Sequence, residues 1–216
     1  DLVLIPGDLI VTAETKKYEI SLRFAQKLCS LGVPVLFSNG NHESKAALPE
    51  SESASVYEQY DRQLRQTGVT VLNNKSCEVS AGGTNVRVSG LELPLSSYKK
   101  GRKPCLEKDF LNRQLGEPSK EHLQVLLAHH PAFAAQYAKW GADLTVCGHN
   151  HGGLVCIPGI GSVISPQFVP FPKYDAGEFT VDDRKIFISR GLGTHTFHIR
   201  VFNRAELVVI TVKPEK

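Results

Sequence analysis

The chain has 216 residues, a formal net charge of +3 and a hydrophobic content of 41%. This composition excludes a disordered chain and leaves enough apolar residues for the core of one domain. No basic stripe is present, so we predict no specific nucleic-acid binding. No stretch is long and apolar enough to predict a membrane span. The five cysteines form no CxxC pair, which argues against a disulfide framework and favours a reducing, cytoplasmic location.

The first part of the chain predicts a β-α-β unit. The apolar run LVLIPGD, residues 2–8, is typical of a buried strand closed by Pro-Gly. Residues 18–32 have the apolar spacing of a helix, and Gly32 suits its C-terminal end. The run VPVLF, residues 33–37, predicts the next strand. Two strands joined through a helix are expected to lie parallel.

The rest of the chain predicts further strands and helices around the same sheet. The segments are a loop over 44–55, a helix over 56–68, a strand over 69–74, a hairpin over 77–93, an excursion with one short helix over 94–121, a strand over 123–131, a helix over 132–141, a strand over 142–153, and three strands over 178–181, 185–189 and 205–212. We therefore predict one α/β domain with sheet inside and helices outside.

Four of these predicted strands end in side chains that can bind a metal ion. They are Asp8, Asn41, His42, His129, His130, His149 and His151. In open α/β sheets, ligands bind outside the carboxyl ends of the strands, so we expect these side chains to converge. Each residue alone also fits a structural role at a turn, but their joint placement favours a metal site. The remaining histidines fit structural roles, although the glycine-rich segment around His195 and His198 could border a site.

The types of side chain indicate which metals would suit the site. Carboxylate, amide and imidazole without thiolate favour Mn, Fe, Zn or Mg over a closed, cysteine-rich zinc site. Two such ions bridged by one carboxylate form a clamp for displacement at phosphorus. Asp8, at the end of a central strand, is the natural bridge.

The motifs GD, GNHE, HHP and GHNHGG, in that order, resemble the calcineurin-like metallophosphoesterase superfamily. The GHNHGG form and the ending SRGLG…FNRAELVVITV are similar to its bacterial phosphodiesterase branch. The resemblance implies a fold of two mixed β-sheets packed as a sandwich and flanked by helices, in a single catalytic domain over residues 1–216. It also implies two divalent metal ions and a phosphoester substrate, which could be a small molecule, a nucleotide or a lipid.

The resemblance implies a ligand set for the two ions. Asp8 would bridge them, while Asn41, His129 and His149 would complete the second ion and His151 would bind the first. A hydroxide held between the ions would attack phosphorus in line.

The resemblance and the local sequence suggest roles for four further residues. His42 would protonate the leaving oxygen or stabilise the transition state. Glu43 could support His42 or a ligand, or could be a plain turn residue. His130 matches no ligand position, so we predict a substrate-facing or supporting role. Arg190 could bind a phosphoryl oxygen through its fork, although a surface arginine at a strand end fits equally well.

One motif of the family does not occur in the sequence. The family opens with Asp-x-His on a strand ahead of the Gly-Asp strand, and this sequence begins after that point. We expect that strand upstream of Asp1, because every other motif is present; otherwise the first ion would have only Asp8 and His151 and would bind weakly. Membrane association is expected only through an anchor upstream of Asp1. A non-catalytic binding scaffold with a degenerate first metal site is the alternative to an enzyme, and the retained His42 favours the enzyme.

Overall fold

A computed structural model describes residues 1–101, 104–153, 155–157, 161–193, 200 and 202–213. Within these residues the α-helices are α1 Tyr18–Cys29, α2 Asn41–Ala46, α3 Ala54–Gln66, α4 Phe110–Leu115 and α5 Ala134–Trp140. The β-strands are β1 Val3–Ile5, β2 Val35–Phe37, β3 Thr70–Val71, β4 Lys75–Ala81, β5 Thr84–Leu91, β6 Leu123–Ala128, β7 Leu144–Cys147, β8 Val155–Ile157, β9 Gly161–Ile164, β10 Gly177–Val181 and β11 Arg184–Ile188.

The strands form one small and one large sheet, with β8 and β9 as a separate hairpin. The small sheet has the order β1-β2-β3, and both of its pairs are parallel because each connection passes through helices. The large sheet has the order β10-β11-β7-β6-β5-β4 and is mixed, with parallel pairs in the centre and an antiparallel hairpin at each edge.

Three apolar clusters show how the layers are stacked. Leu36 of the small sheet shares a buried cluster with Val88 and Val125 of the large sheet, so the two sheets pack face to face. The other face of the small sheet packs against α1 and α3, and the other face of the large sheet packs against α4 and α5. Burial of these apolar side chains is the main favourable term for this arrangement. The predicted α/β fold, with packed sheets flanked by helices, is confirmed.

Two segments differ from the predictions. Residues 41–46 form helix α2, where the sequence predicts a turn followed by a loop. Residues 205–212 do not form the predicted strand, and Leu207 and Val209 in this segment are 80% and 86% exposed. Apolar alternation therefore predicts a strand only where a partner strand is present to pair with it. In the described part of the chain, none of the helices has the length and apolar character that crossing a membrane requires.

Candidate metal centre

The loop after β1 holds Asp8 in an unusual backbone conformation. Gly7 has φ +105° and Asp8 has φ +55°, a region that non-glycine residues rarely occupy. Surrounding contacts must hold such a residue in place. One of these contacts comes from the backbone N–H of His42, which donates a 2.9 Å hydrogen bond to Asp8 Oδ1.

Glu43 connects this loop to the N-terminus of α2. Its side chain is fully buried and accepts hydrogen bonds from the backbone N–H groups of Asp8 (2.9 Å), Ile10 (3.1 Å) and Gly40 (2.9 Å). Burial, with the charge of Asp8, raises the pKa of Glu43 to about 7, although the N–H donors oppose this shift. Glu43 is therefore a buried acceptor that holds Asp8 in place, and not a simple turn residue.

The ends of β1, β6 and β7 bring three candidate ligands together. Metal-binding atoms of Asp8, His129 and His149 all lie within 4.8 Å of one another. Asn41, the first residue of α2, adds its Oδ1 at 2.9 Å from His149 Nδ1. The predicted ligands of the second ion are thus gathered at the carboxyl ends of the strands, as expected for an α/β sheet.

The unpaired atoms in this cluster fit a cation. His129 Nδ1 lies 2.8 Å from the carbonyl of Pro6, which can only accept, so Nδ1 carries a proton. Burial lowers the pKa of His129, but the Asp8 carboxylate, with Oδ2 2.9 Å from Nε2, outweighs this effect and raises it; once Nε2 loses its proton, its lone pair faces Asp8 Oδ2. His149 Nε2 is buried without a hydrogen-bond partner among the described residues. A divalent ion satisfies such facing lone pairs, and a histidine ligand commonly donates its other N–H to a carbonyl.

The ionisation of the cluster is consistent with this interpretation. Burial raises the pKa of Asp8, but the charges of His129 and His42 outweigh it, so the pKa of this carboxyl falls below its usual value. Burial lowers the pKa of His149 well below its usual value, and His130 and His129 lower it further. Asp8 is therefore ionised and His149 neutral near pH 7, which are the forms that bind metals.

His130 has both ring nitrogens engaged within the protein. Nε2 lies 3.0 Å from Gln167 Oε1, and Nδ1 accepts a hydrogen bond from the N–H of Ala132. Its ring also packs against the rings of His149 and Tyr98, with centroids 4.4 and 5.3 Å apart. This geometry favours the supporting role over substrate contact, and binding of substrate by His130 stays a prediction.

His151 and Arg190 lie on the glycine-rich side of the site. His151 has φ +50° and is not part of the group formed by Asp8, His129 and His149. A Cβ placed on Gly152 would lie 3.0 Å from Arg190 Cγ. Arg190 therefore packs against the loop that carries His149 and His151. Binding of the first ion by His151 and of a phosphoryl oxygen by Arg190 stay predictions.

Two residues at the site gave no signal in the sequence. The Asn203 amide donates to the carbonyls of His151 and Gly153, which fixes the glycine-rich loop. Thr12 contacts His42, with its backbone N–H 3.1 Å from His42 Nδ1. Thr12 is part of no motif, and Asn203 lies in the FNR of the family-like ending, where the pattern indicates no role for it; the folded backbone brings each to its partner. His195 and His198 lie outside the described residues.

Comparison with known proteins supports the family resemblance. The chain is 26% identical over 218 residues to the uncharacterized metallophosphoesterase YkuE of Bacillus subtilis, covering 99% of this chain and 68% of YkuE. It is 24% identical to phosphodiesterase YaeI of Escherichia coli, covering 97% of this chain and 69% of YaeI.

A solved structure and a family model extend the comparison. The crystal structure of a putative 5'-nucleotidase from Staphylococcus aureus has a similar fold, with a TM-score of 0.52 and 13% identity; the match covers 88% of this chain but only 40% of that one. The family model for calcineurin-like phosphoesterases matches residues 1–153. This chain therefore belongs to the calcineurin-like phosphoesterase family.

Proposed function

We propose that residues 1–216 form the catalytic domain of a phosphoesterase, most consistent with a phosphodiesterase, that uses two divalent metal ions. The observation that carries this proposal is the convergence of Asp8, His129 and His149 at one sheet edge, with Asn41 beside them. Family membership supports the reaction class, and the name of the relative YaeI supports a diester substrate.

In this proposal the chain supplies ligands for both ions. Asp8, Asn41, His129 and His149 hold one ion, and Asp8 and His151 contribute to the other. When bound, such ions polarise a phosphoryl oxygen and lower the pKa of a water that can attack phosphorus. Mn, Fe, Zn and Mg all suit this mixture of oxygen and nitrogen ligands.

The remaining proposed roles belong to groups around the ligands. Glu43 keeps the Asp8 carboxylate in position by binding the backbone around it. His42 stands beside Asp8 and donates a proton or a hydrogen bond to the oxygen of the leaving group. Arg190 provides a cationic fork for a phosphoryl oxygen. Substrates are small-molecule phosphoesters, with nucleotides and lipids included.

The proposal is tested by activity and metal content measured on the same preparations. With Mn, the full-length wild-type protein, including the residues upstream of Asp1, is expected to hydrolyse bis-p-nitrophenyl phosphate faster than p-nitrophenyl phosphate. Asp8→Ala should lose both metal and activity, because Asp8 is the one carboxylate in the group that the described residues form. His42→Ala should keep its metal and, on a diester with an alkyl leaving group, lose about 10²–10⁴-fold in kcat, the usual contribution of an acid–base group.

Each outcome of this test separates the enzyme from the alternatives. Faster hydrolysis of the monoester than of the diester would support a phosphoesterase but would contradict the assignment as a phosphodiesterase. If the wild-type protein binds two metal ions per chain but hydrolyses neither ester, the proposal that it is a phosphoesterase is rejected. Equal turnover by wild type and His42→Ala would reject the role of His42 alone.

A further inference from the structure

Thr12 has no role in any motif, yet it contacts His42 with both its backbone and its side chain. The N–H of Thr12 donates to His42 Nδ1 at 3.1 Å. The Thr12 hydroxyl donates to the His42 carbonyl at 2.8 Å and lies 3.1 Å from Nδ1. Thr12 is 8% exposed, so water offers little competition for these hydrogen bonds.

The direction of the backbone hydrogen bond defines the tautomer of His42. A backbone N–H can only donate, so Nδ1 must present its lone pair to Thr12. The neutral ring then carries its proton on Nε2. Because Nδ1 is turned toward Thr12, Nε2 is the nitrogen left to face a substrate.

Thr12 is itself held from two other parts of the chain. Its carbonyl accepts hydrogen bonds from the hydroxyl of Tyr18 at 3.1 Å and from the hydroxyl of Ser53 at 2.9 Å. Tyr18 begins α1 and Ser53 precedes α3. The carbonyl of Thr12 is therefore held by side chains at the start of both helices, which restricts how far the neighbouring N–H that faces His42 can move.

We propose that Thr12 is a positioning residue that holds His42 as the Nε2–H tautomer, so that His42 acts on the leaving oxygen as a hydrogen-bond donor. The inference rests on the proposed function and selects between the two roles given to His42. As the P–O bond breaks, the Nε2–H hydrogen bond to the departing oxygen shortens while the N–H bond stays intact. The leaving alkoxide takes its proton from solvent water.

Complete proton transfer from His42 would conflict with the contact to Thr12. A doubly protonated ring that gave up its Nε2 proton would keep the other proton on Nδ1. That proton would face the backbone N–H of Thr12 as a second donor, and it could be accepted only by turning toward Thr12 Oγ1, which lies 3.1 Å from Nδ1. Hydrogen-bond donation needs no such rearrangement, and preorganised donors of this kind stabilise developing charge strongly.

The tautomer can be measured without any assay of activity. We would record the imidazole nitrogen resonances of the ¹⁵N-labelled chain loaded with Zn or Mg, which do not broaden the signals, and assign His42 by its absence in His42→Gln. We expect a protonated Nε2 and an unprotonated Nδ1 for His42. A proton on Nδ1, with or without one on Nε2, would overturn the proposal even if the chain is an active phosphoesterase.

A substitution tests whether the contact matters for the reaction. Thr12→Val keeps the backbone N–H and the shape of the side chain but removes the hydrogen bond to the His42 carbonyl. On a diester with an alkyl leaving group we expect kcat to fall about tenfold at unchanged KM and metal content, close to the value of one buried hydrogen bond. On bis-p-nitrophenyl phosphate, whose leaving group needs little stabilisation, the loss should be below about threefold.

Two further variants make this comparison interpretable. Thr12→Ser keeps the hydroxyl and should restore kcat on the alkyl diester. Thr67→Val is the matched control, because it also removes one threonine-to-carbonyl hydrogen bond, about 20 Å away at the far end of α3, and should leave both rates unchanged. Equal losses on the two esters, or none, would show that Thr12 does not position His42. Absence of hydrolysis in the wild type would instead refute the proposed function and leave the NMR test valid.

Discussion

The two sides of the site are built in different ways, although each has a glutamate that holds a loop. Glu43 is fully buried and binds three backbone N–H groups. Glu206, beside the glycine-rich loop, accepts one backbone N–H, that of Arg190 at 2.8 Å, and its side chain is 33% exposed. The Asp8 loop is thus held by three buried hydrogen bonds to one carboxylate, whereas the contact between Glu206 and Arg190 is one that water can replace.

This difference matters because the free energy of a hydrogen bond depends on what replaces it. A buried N–H that loses its acceptor has no water to bind, and the full desolvation penalty remains. An exposed N–H or guanidinium recovers most of that free energy from solvent. The Asp8 side should therefore tolerate substitution poorly, whereas the Arg190 side can vary with the substrate.

The largest expected effect comes from removing the two glutamates in turn. Glu43→Ala leaves three buried N–H groups without an acceptor and should lower the free energy of unfolding by at least ~3 kcal/mol, with loss of metal. Glu206→Ala should lower it by less than ~1 kcal/mol. Urea unfolding curves and metal content measure both effects. Similar losses in the two variants would contradict the proposed difference between the two sides.

The clustering of the proposed ligands could be predicted from the sequence because sheet topology brings them together. Asp8, Asn41, His129 and His149 each follow a predicted parallel strand, and parallel strands end at the same edge of the sheet. That argument needs only the order of apolar runs and polar residues. It requires no knowledge of the loops that connect them.

The groups that hold the ligands could not be predicted in the same way. The role of Glu43 depends on the loop with the positive φ of Asp8, which presents the N–H groups of Asp8 and Ile10 to one carboxylate. The role of Thr12 depends on where the loop after β1 passes over α2. Neither property has a periodic sequence signature. In the segment 205–212 the sequence predicts an element that is not formed. Its apolar alternation predicts a strand but does not indicate which strand would pair with it.

A smaller change in stability is expected when a glycine on each side of the site is replaced by alanine, which adds a single methyl group. A Cβ on Gly40 would lie 2.3 Å from Asp8 Oδ1 and 2.6 Å from Asp8 N, atoms that hydrogen bonds already fix. Gly40→Ala should therefore cost about 1–3 kcal/mol of stability and weaken metal binding. Among the described residues nothing lies within 4 Å of a Cβ added to Gly193, so Gly193→Ala should change stability by less than ~0.5 kcal/mol.

Thermal unfolding and metal titration of the two alanine variants measure this second contrast. A Gly40→Ala chain with wild-type stability and metal affinity would mean that the Asp8 loop can shift to accommodate the methyl group. In that case the loop would not be as fixed as its hydrogen bonds indicate, and the difference between the two sides would lie in the glutamates alone.

A third expected effect depends on pH and concerns protonation, which should also be concentrated on the buried side. Burial lowers the pKa of His130 to about 3, with a further contribution from the charge of His129. The folded state therefore takes up this proton less readily than the unfolded state, whose histidine has a pKa of about 6.5. The resulting stability is fully present above pH 6.5 and is lost as the pH falls toward 3, by about 1.4 kcal/mol per pH unit.

His130→Gln isolates that contribution, because glutamine keeps an amide for Gln167 but has no proton to take up. In urea unfolding between pH 6.5 and 5, the free energy of unfolding should fall more steeply for the wild type than for His130→Gln. The difference in slope should be about 1.4 kcal/mol per pH unit, the value for the uptake of one proton. His149 has a pKa shifted in the same direction and remains in both chains, so the variant should keep part of the acid sensitivity. Parallel pH profiles of the two chains would mean that His130 is hydrated in the folded state. Water would then reach the Asp8 side of the site behind the proposed metal ligands.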